Sequence, residues 1–340
     1  MKKGILTFHK ANNLGAVLQA YALQKKMSHI FNNDIIEIID YDNGNFVERS
    51  NINSIKSFFK NIYYFIKNNS FNKFRKKYLI MSNNYNKDNI KKSINDYDCI
   101  ICGSDQIWNL SCSNNDYNYF LDFAKDNKKT KKISYAASIG NYHYTNEEKE
   151  KVLNIINKFD KLSIREKDSI KEFEDFNLKI EIMPDPVFLL EKEEWIKIMP
   201  RKQTKSKYIF VYLIQEDVNV MNAAKKYAKK NKCIIISNKK NLKFFLNNSP
   251  DKFLSWIYYA DAVFTNSFHG TAFSLIFEKK LGADIALKNG GINNRIIELL
   301  KSTKNEQCII DSNRIAANKV KNCELINDMR NKGEKYLKKI

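Results

Sequence analysis

Ala260-Asp-Ala-Val-Phe-Thr-Asn-Ser-Phe-His-Gly-Thr-Ala-Phe-Ser-Leu-Ile-Phe277 decides how the rest of the chain is read. Asp261 to Thr265 reads as an apolar strand, Asn266 to Gly270 as a polar turn, and Thr271 to Phe277 as an amphipathic helix. Where a strand feeds a tight turn and a helix start, unpaired backbone N–H groups gather and favour an anion. His269 lies on that turn and is one of four histidines in the chain. A titratable ring beside an anion-holding turn points to acid–base chemistry on a negatively charged substrate. The plainer alternative is a ring that packs the end of a strand.

Working outward, strands and helices alternate. Strands are expected at residues 3–8, 34–40, 98–102, 132–138, 161–164 and 180–183, then at 208–214, 233–237, 261–265 and 283–287. Helices are expected at 14–27, 146–159, 219–230, from Ser249-Pro250 onward, 293–302 and 324–338. This alternation predicts α/β architecture with largely parallel sheets. The economical arrangement is two doubly wound, Rossmann-like domains facing a cleft. The expected boundaries are 1–186, a crossover linker 187–207, and 208–340 ending in a basic helix. Ligands in such sheets sit at the carboxyl ends of strands. The turns at 8–15, 103–109, 164–169 and 266–270 all fall there.

At 340 residues the chain has room for one large domain or two ordinary ones. The apolar run at the N-terminus is too short for a signal peptide, and none approaches the ~20 residues of a membrane helix. The expectation is a cytoplasmic protein. Six cysteines fit that reading as reduced thiols; Cys99-Ile-Ile-Cys102 has half a zinc-site spacing, but no matching second half, so no metal is expected. The net charge of +20 leaves nucleic acid, an anionic membrane face and acidic substrates as partners. No nucleic-acid motif accompanies it, which argues against nucleic acid. Residues 51–87 hold eight Lys/Arg, nine Phe/Tyr and no Asp or Glu. That segment reads either as a helical cover for the first sheet or as a face for an anionic membrane.

Other candidates each carry two readings. Arg165, at a strand's carboxyl end, suits bidentate grip of phosphate or carboxylate, or else pairing with Glu166 or Asp168. Gly103, Ser104, Asp105, Gln106 and Trp108 form a turn that either meets sugar hydroxyls or caps a helix. The loop of Asn12, Asn13 and Gly15 is the same kind of case. Arg295 either serves the cleft or decorates its helix.

Six stretches, in order, resemble the polysaccharide pyruvyl transferases: Gly4 to Leu23, Gly103-Ser-Asp-Gln-Ile-Trp-Asn109, Ser163-Ile-Arg-Glu-Lys167, Pro184-Asp-Pro186, Asn266-Ser-Phe-His-Gly-Thr271 and Asn293-Asn-Arg-Ile296. The resemblance implies a fold like GT-B glycosyltransferases. It implies transfer of pyruvate from phosphoenolpyruvate onto two hydroxyls of one sugar in a surface glycan or its precursor, with no cofactor. It makes His269 the catalytic residue and Arg165 a donor-binding one. Several members carry arginine where this chain has Ser267. Donor binding is therefore expected of Arg165, Arg295, Lys288 and the turn Ser267, Gly270 and Thr271. Acceptor binding is expected of Asn12, Asn13, Gly15, Gly103, Ser104, Asp105, Gln106 and Trp108. The acceptor is a sugar, free or lipid-linked, and in the second case the protein would sit peripherally at the inner membrane face. Rival readings are a nucleotide-sugar glycosyltransferase of the same fold and a non-catalytic glycan binder.

Overall fold

The computed structural model describes residues 1–44, 55–174, 176, 178–239, 241–246, 248–286, 293–311 and 316–340, with backbone alone at 55–60 and 323. The chain divides into two compact units, Met1–Leu189 with Asn331–Ile340, and Leu190–Arg330.

The first unit runs β1 (Lys2–Leu6), α1 (Leu14–Ile30), β2 (Ile35–Asp42), α2 (Ile55–Tyr78), β3 (Met81–Asn86), β4 (Cys99–Gly103), α3 (Leu110–Ser113), β5 (Lys131–Tyr135), α4 (Asn146–Ile156), β6 (Leu162–Ile164) and β7 (Ile180–Ile182). The sheet order is β3-β2-β1-β4-β5, parallel throughout. β6 and β7 pair in parallel, and bridges at Ile133–Lys161 and Ala137–Ile164 attach them beside β5. Strands covered on both faces are apolar at every position rather than alternately. β4 shows this, with all five residues buried, Cys99 and Cys102 among them. Burial pushes the Cys99 thiol up to about 12, so it stays protonated and inert.

The second unit runs α5 (Lys192–Ile198), β8 (Tyr208–Tyr212), α6 (Val218–Asn231), β9 (Ile234–Ser237), α7 (Leu242–Leu246), α8 (Pro250–Tyr258), β10 (Ala262–Thr265), α9 (Phe268–Ile276), β11 (Lys280–Ala283), α10 (Asn294–Ser302), β12 (Asn318–Lys319) and the start of α11 (Cys323–Leu337). Its sheet order is β12-β11-β10-β8-β9, parallel except for the short edge strand β12. Both sheets are doubly wound. Strand order reverses between β1 and β4 in the first and between β8 and β10 in the second.

Three boundaries differ from the sequence reading. The segment 187–207 is not an open linker: α5 forms there, and Trp195 is fully buried edge-on to Phe273. The chain's last ten residues group with the first unit rather than the second. Tyr336 is buried against Tyr135 at 5.9 Å, its hydroxyl donates to Ser134 O, and Glu334 pairs with Lys26 at 2.5 Å. The strand expected at 283–287 lies instead at Lys280–Ala283.

Candidate functional site

At the first sheet's reversal, the loops leaving β1 and β4 touch. Thr7 Oγ1 donates to Ser104 O, and Gln19 donates to Thr7 Oγ1 from α1. Asn13 is the N-cap of α1, accepting from the N–H groups of Gly15 and Ala16. Asn12 accepts from Arg75, which also donates to the carbonyls of His9, Lys10 and Ala11. A single buried guanidinium on α2 thus holds the β1–α1 loop in shape. Burial lowers the Arg75 pKa to about 10, still far above neutrality.

His9, fully buried, ties the same loop to β2: its Nε2 lies 2.9 Å from Asp40 Oδ1 and its Nδ1 3.1 Å from Thr7 O. Lys10 pairs with Asp40 at 3.2 Å. Burial alone would raise the Asp40 pKa, but hydrogen bonds from His9 and Asn84 and the charges of His9 and Lys10 outweigh it and hold the carboxyl well below its usual range. An acid with a depressed folded-state pKa stabilises above its unfolded value and loses that contribution as pH falls through the folded one. The stability gap between the parent and Asp40→Asn is therefore expected to be widest at neutral pH and to close progressively below about pH 4. Urea denaturation across pH checks this; a gap independent of pH would contradict it.

The expected acceptor residues divide by exposure. Asn12, Asn13, Asp105 and Gln106 keep surface, whereas Gly15, Gly103, Ser104 and Trp108 are buried. Trp108 corrects the sequence reading most clearly. Its ring is fully buried, stacks on Phe120 at 5.3 Å, and donates from Nε1 to Tyr119 O. It is a core residue rather than a platform for sugar. Gly103 has φ +145°, and a Cβ there would collide with the carbonyl of Tyr135. That glycine lets β4 pack against β5 instead of admitting a ligand.

Next along this edge, Ser138 accepts from Trp108 N and donates its N–H to Asp105 O, joining the β5 end to the β4 loop. Arg165 follows β6 and is buried. It donates from Nη1 to Asp185 Oδ2 at 2.7 Å, from Nε to Glu166 Oε1 at 3.0 Å, and from Nη2 to Ser138 Oγ at 2.9 Å. Ser138 in turn donates to Glu166 at 2.5 Å. Burial would lower the Arg165 pKa, but Glu166, Asp185 and Asp105 keep the guanidinium firmly charged. Glu166 Oε2 is buried without a hydrogen-bond partner. One cation is thus matched by two carboxylates in contact. The first task of Arg165 is to neutralise them, and its field toward a further anion is offset. Neither Asp185 nor Ser138 was singled out from sequence as a site residue. The Pro184-Asp-Pro186 stretch was the available signal for Asp185. His9, three residues past β1, carried the same strand-end signal as His269.

In the second unit, Ser267 caps α9 by accepting from Gly270 N at 3.3 Å, so the helix begins at Phe268 and His269 sits in its first turn. Asn266 bridges the reversal point: it accepts from Ile214 N and donates to Gln215 O and Asp217 Oδ2. Thr271 Oγ1 donates to Ser267 O, and a Cβ at Gly270 would lie 2.5 Å from Thr265 Oγ1. Ser267, Gly270 and Thr271 are buried and shape the helix start; His269 and Arg295 are partly exposed. Asp284, the residue after β11, donates its N–H to Thr265 O and is buried. Burial first, then the charge of Asp217, raises its pKa despite bonds from Ala286 N and other donors. Lys288 lies outside the described residues. Among those described, no three His, Cys, Asp or Glu side chains gather as a metal-ligand set.

The family model described as polysaccharide pyruvyl transferase matches residues 13–281. No curated protein matches the sequence. Among solved structures, UDP-GlcNAc 2-epimerase from Neisseria meningitidis bound to UDP-GlcNAc is similar at 11% identity and a TM-score of 0.50, covering 100% of both chains. The E. coli heptosyltransferase WaaC with ADP gives 10% identity and a TM-score of 0.38, over 98% of this chain and 100% of that one. At such identity the epimerase likeness concerns fold alone, and that fold is GT-B-like.

Proposed function

The chain belongs to the polysaccharide pyruvyl transferase family, and we propose that it transfers pyruvate from phosphoenolpyruvate to two hydroxyls of one sugar, forming a cyclic ketal and releasing phosphate. The observation that carries this reading is His269 in the first turn of α9, beside the reversal point of the second sheet. In the reaction, C3 of the enol gains a proton and becomes a methyl group. C2 then takes two bonds to sugar oxygens as its bond to the phosphate oxygen breaks. Of the two hydroxyl protons, one balances the C3 proton and the other leaves with phosphate. His269 is assigned the proton transfers. The donor's carboxylate and phosphate are assigned to the α9 start and Arg295, with Lys288 as a further cation. The first unit's edge, with Asp105, Gln106, Asn12 and Asn13, is assigned to sugar hydroxyls, for which carboxylates and amides are suitable partners. Arg165 is assigned to organising that edge, through its bonds to Ser138, Glu166 and Asp185.

A second reading has one observation in its favour. The arginine expected to grip the donor is matched by Glu166 and Asp185, and position 267 is a serine. A GT-B-type glycosyltransferase using a nucleotide sugar has no need of either cation in that role. The test incubates the protein with phosphoenolpyruvate and a panel of methyl hexosides and related disaccharides. Phosphate release matched by a new methyl singlet in the proton NMR spectrum supports pyruvyl transfer. Sugar transfer from a nucleotide sugar, with phosphoenolpyruvate untouched, supports the second reading.

A further inference from the structure

Helix α2 has two functions on two faces. Inward, Phe71 and Phe74 are buried, and Arg75 holds the β1–α1 loop while Asn68 meets Asn12. On the opposite side, Ile62 is 38% and Phe65 67% exposed. Lys73 and Lys76 are exposed on the same outer side. At 1.5 Å per residue this stripe runs about 21 Å from Ile62 to Lys76. Covering the sheet explains the buried aromatics but not an exposed phenylalanine next to an exposed isoleucine.

We propose that the outer face of α2 docks the protein on an anionic lipid bilayer surface, with Ile62 and Phe65 entering the headgroup layer and Lys73 and Lys76 meeting lipid phosphates. Charge selects this occupant. With Lys73 and Lys76 on this face and no Asp or Glu anywhere in 51–87 to pair with them, two copies of the face repel each other. A nucleic acid would satisfy the lysines but has no apolar layer for Ile62. An anionic bilayer satisfies both. No described helix is long and apolar enough to cross a membrane, so the attachment is to the surface. Its use follows from the inner face: α2 shapes the loop assigned to the sugar acceptor, so docking holds that loop about one helix diameter, ~10 Å, from the lipid surface, within reach of a lipid-linked sugar. That last step rests on the function proposed above; the docking does not.

The test is co-sedimentation of the full chain with vesicles of phosphatidylcholine alone or mixed with phosphatidylglycerol. Binding is expected only to the mixed vesicles, and it weakens as salt is raised. Ile62→Glu with Phe65→Glu is expected to abolish it, and Lys73→Gln with Lys76→Gln to weaken it about thirtyfold. These side chains are exposed, so both variants are expected to melt with the parent, and activity on a water-soluble acceptor should be unchanged. Failure of the parent to bind mixed vesicles, or equal binding by parent and variants, overturns the proposal. So does a dimer in solution that the glutamate variant dissociates, which would assign the face to a second copy. Because binding needs neither donor nor acceptor, its failure is distinguishable from failure of the catalytic reading.

Discussion

Arg165→Ala is expected to cost about 3–5 kcal/mol of folding stability. The side chain is 4% exposed, and its partners Glu166 and Asp185 are 6% and 0% exposed. Removing it leaves two buried carboxylates without their cation, and each must then take up a proton or draw water into the space the side chain vacates. Urea denaturation of parent and variant measures the loss, and a change under about 1 kcal/mol would contradict the ion-pair account. Arg165→Ala combined with Asp185→Asn should recover part of the stability, because the second change removes one of the stranded charges. This has a practical consequence for function. Lost activity in Arg165→Ala alone does not report a donor contact, since the edge that carries Asp105 and Gln106 is joined to Arg165 through Ser138.

His269→Ala is expected to lower turnover by about 10²–10⁴-fold while leaving the melting temperature near that of the parent. The two effects separate because the helix start does not depend on the imidazole. Ser267 supplies the cap, Gly270 packs on Thr265, and Asn266 holds the loop after β8. Steady-state kinetics beside a thermal melt checks both halves. Turnover within a few-fold of the parent would remove His269 from the proton-transfer role. A collapse of the melt would instead make it the packed ring that the sequence alone also allowed.

Much of the fold was legible because parallel strands are apolar at every position and helices carry a 3.6-residue period. β4 and β8 were readable for that reason. β3, with the sequence Met-Ser-Asn-Asn-Tyr-Asn, was not, because asparagine is rare in strands and this one pairs on a single side at the sheet's edge. β11 opens on Lys280 and includes Gly282, so the apolar pattern drew the expected strand three residues too late. The candidate site was legible as a set of strand-end turns: those at 8–15 and 103–109 follow β1 and β4 at the first reversal point and that at 266–270 follows β10 at the second, whereas 164–169 follows β6 on the far side of β5. Their internal chemistry was not. Nothing local ties Arg165 to Asp185, twenty residues on, or Arg75 to His9, sixty-six residues back. Trp108 was misread because its neighbours Asp105 and Gln106 are polar, while its burial is set by Phe120, which the turn pattern does not include.

The most direct test of the central claim is the melting temperature of the parent protein with saturating phosphoenolpyruvate and, separately, with UDP-N-acetylglucosamine. A ligand bound only by the folded state stabilises it by mass action, by about 2.7 kcal/mol at a hundredfold excess over its Kd. The account predicts a rise of several degrees with phosphoenolpyruvate and none with the nucleotide sugar. A rise with the nucleotide sugar and none with phosphoenolpyruvate would contradict it and assign the chain to glycosyl transfer.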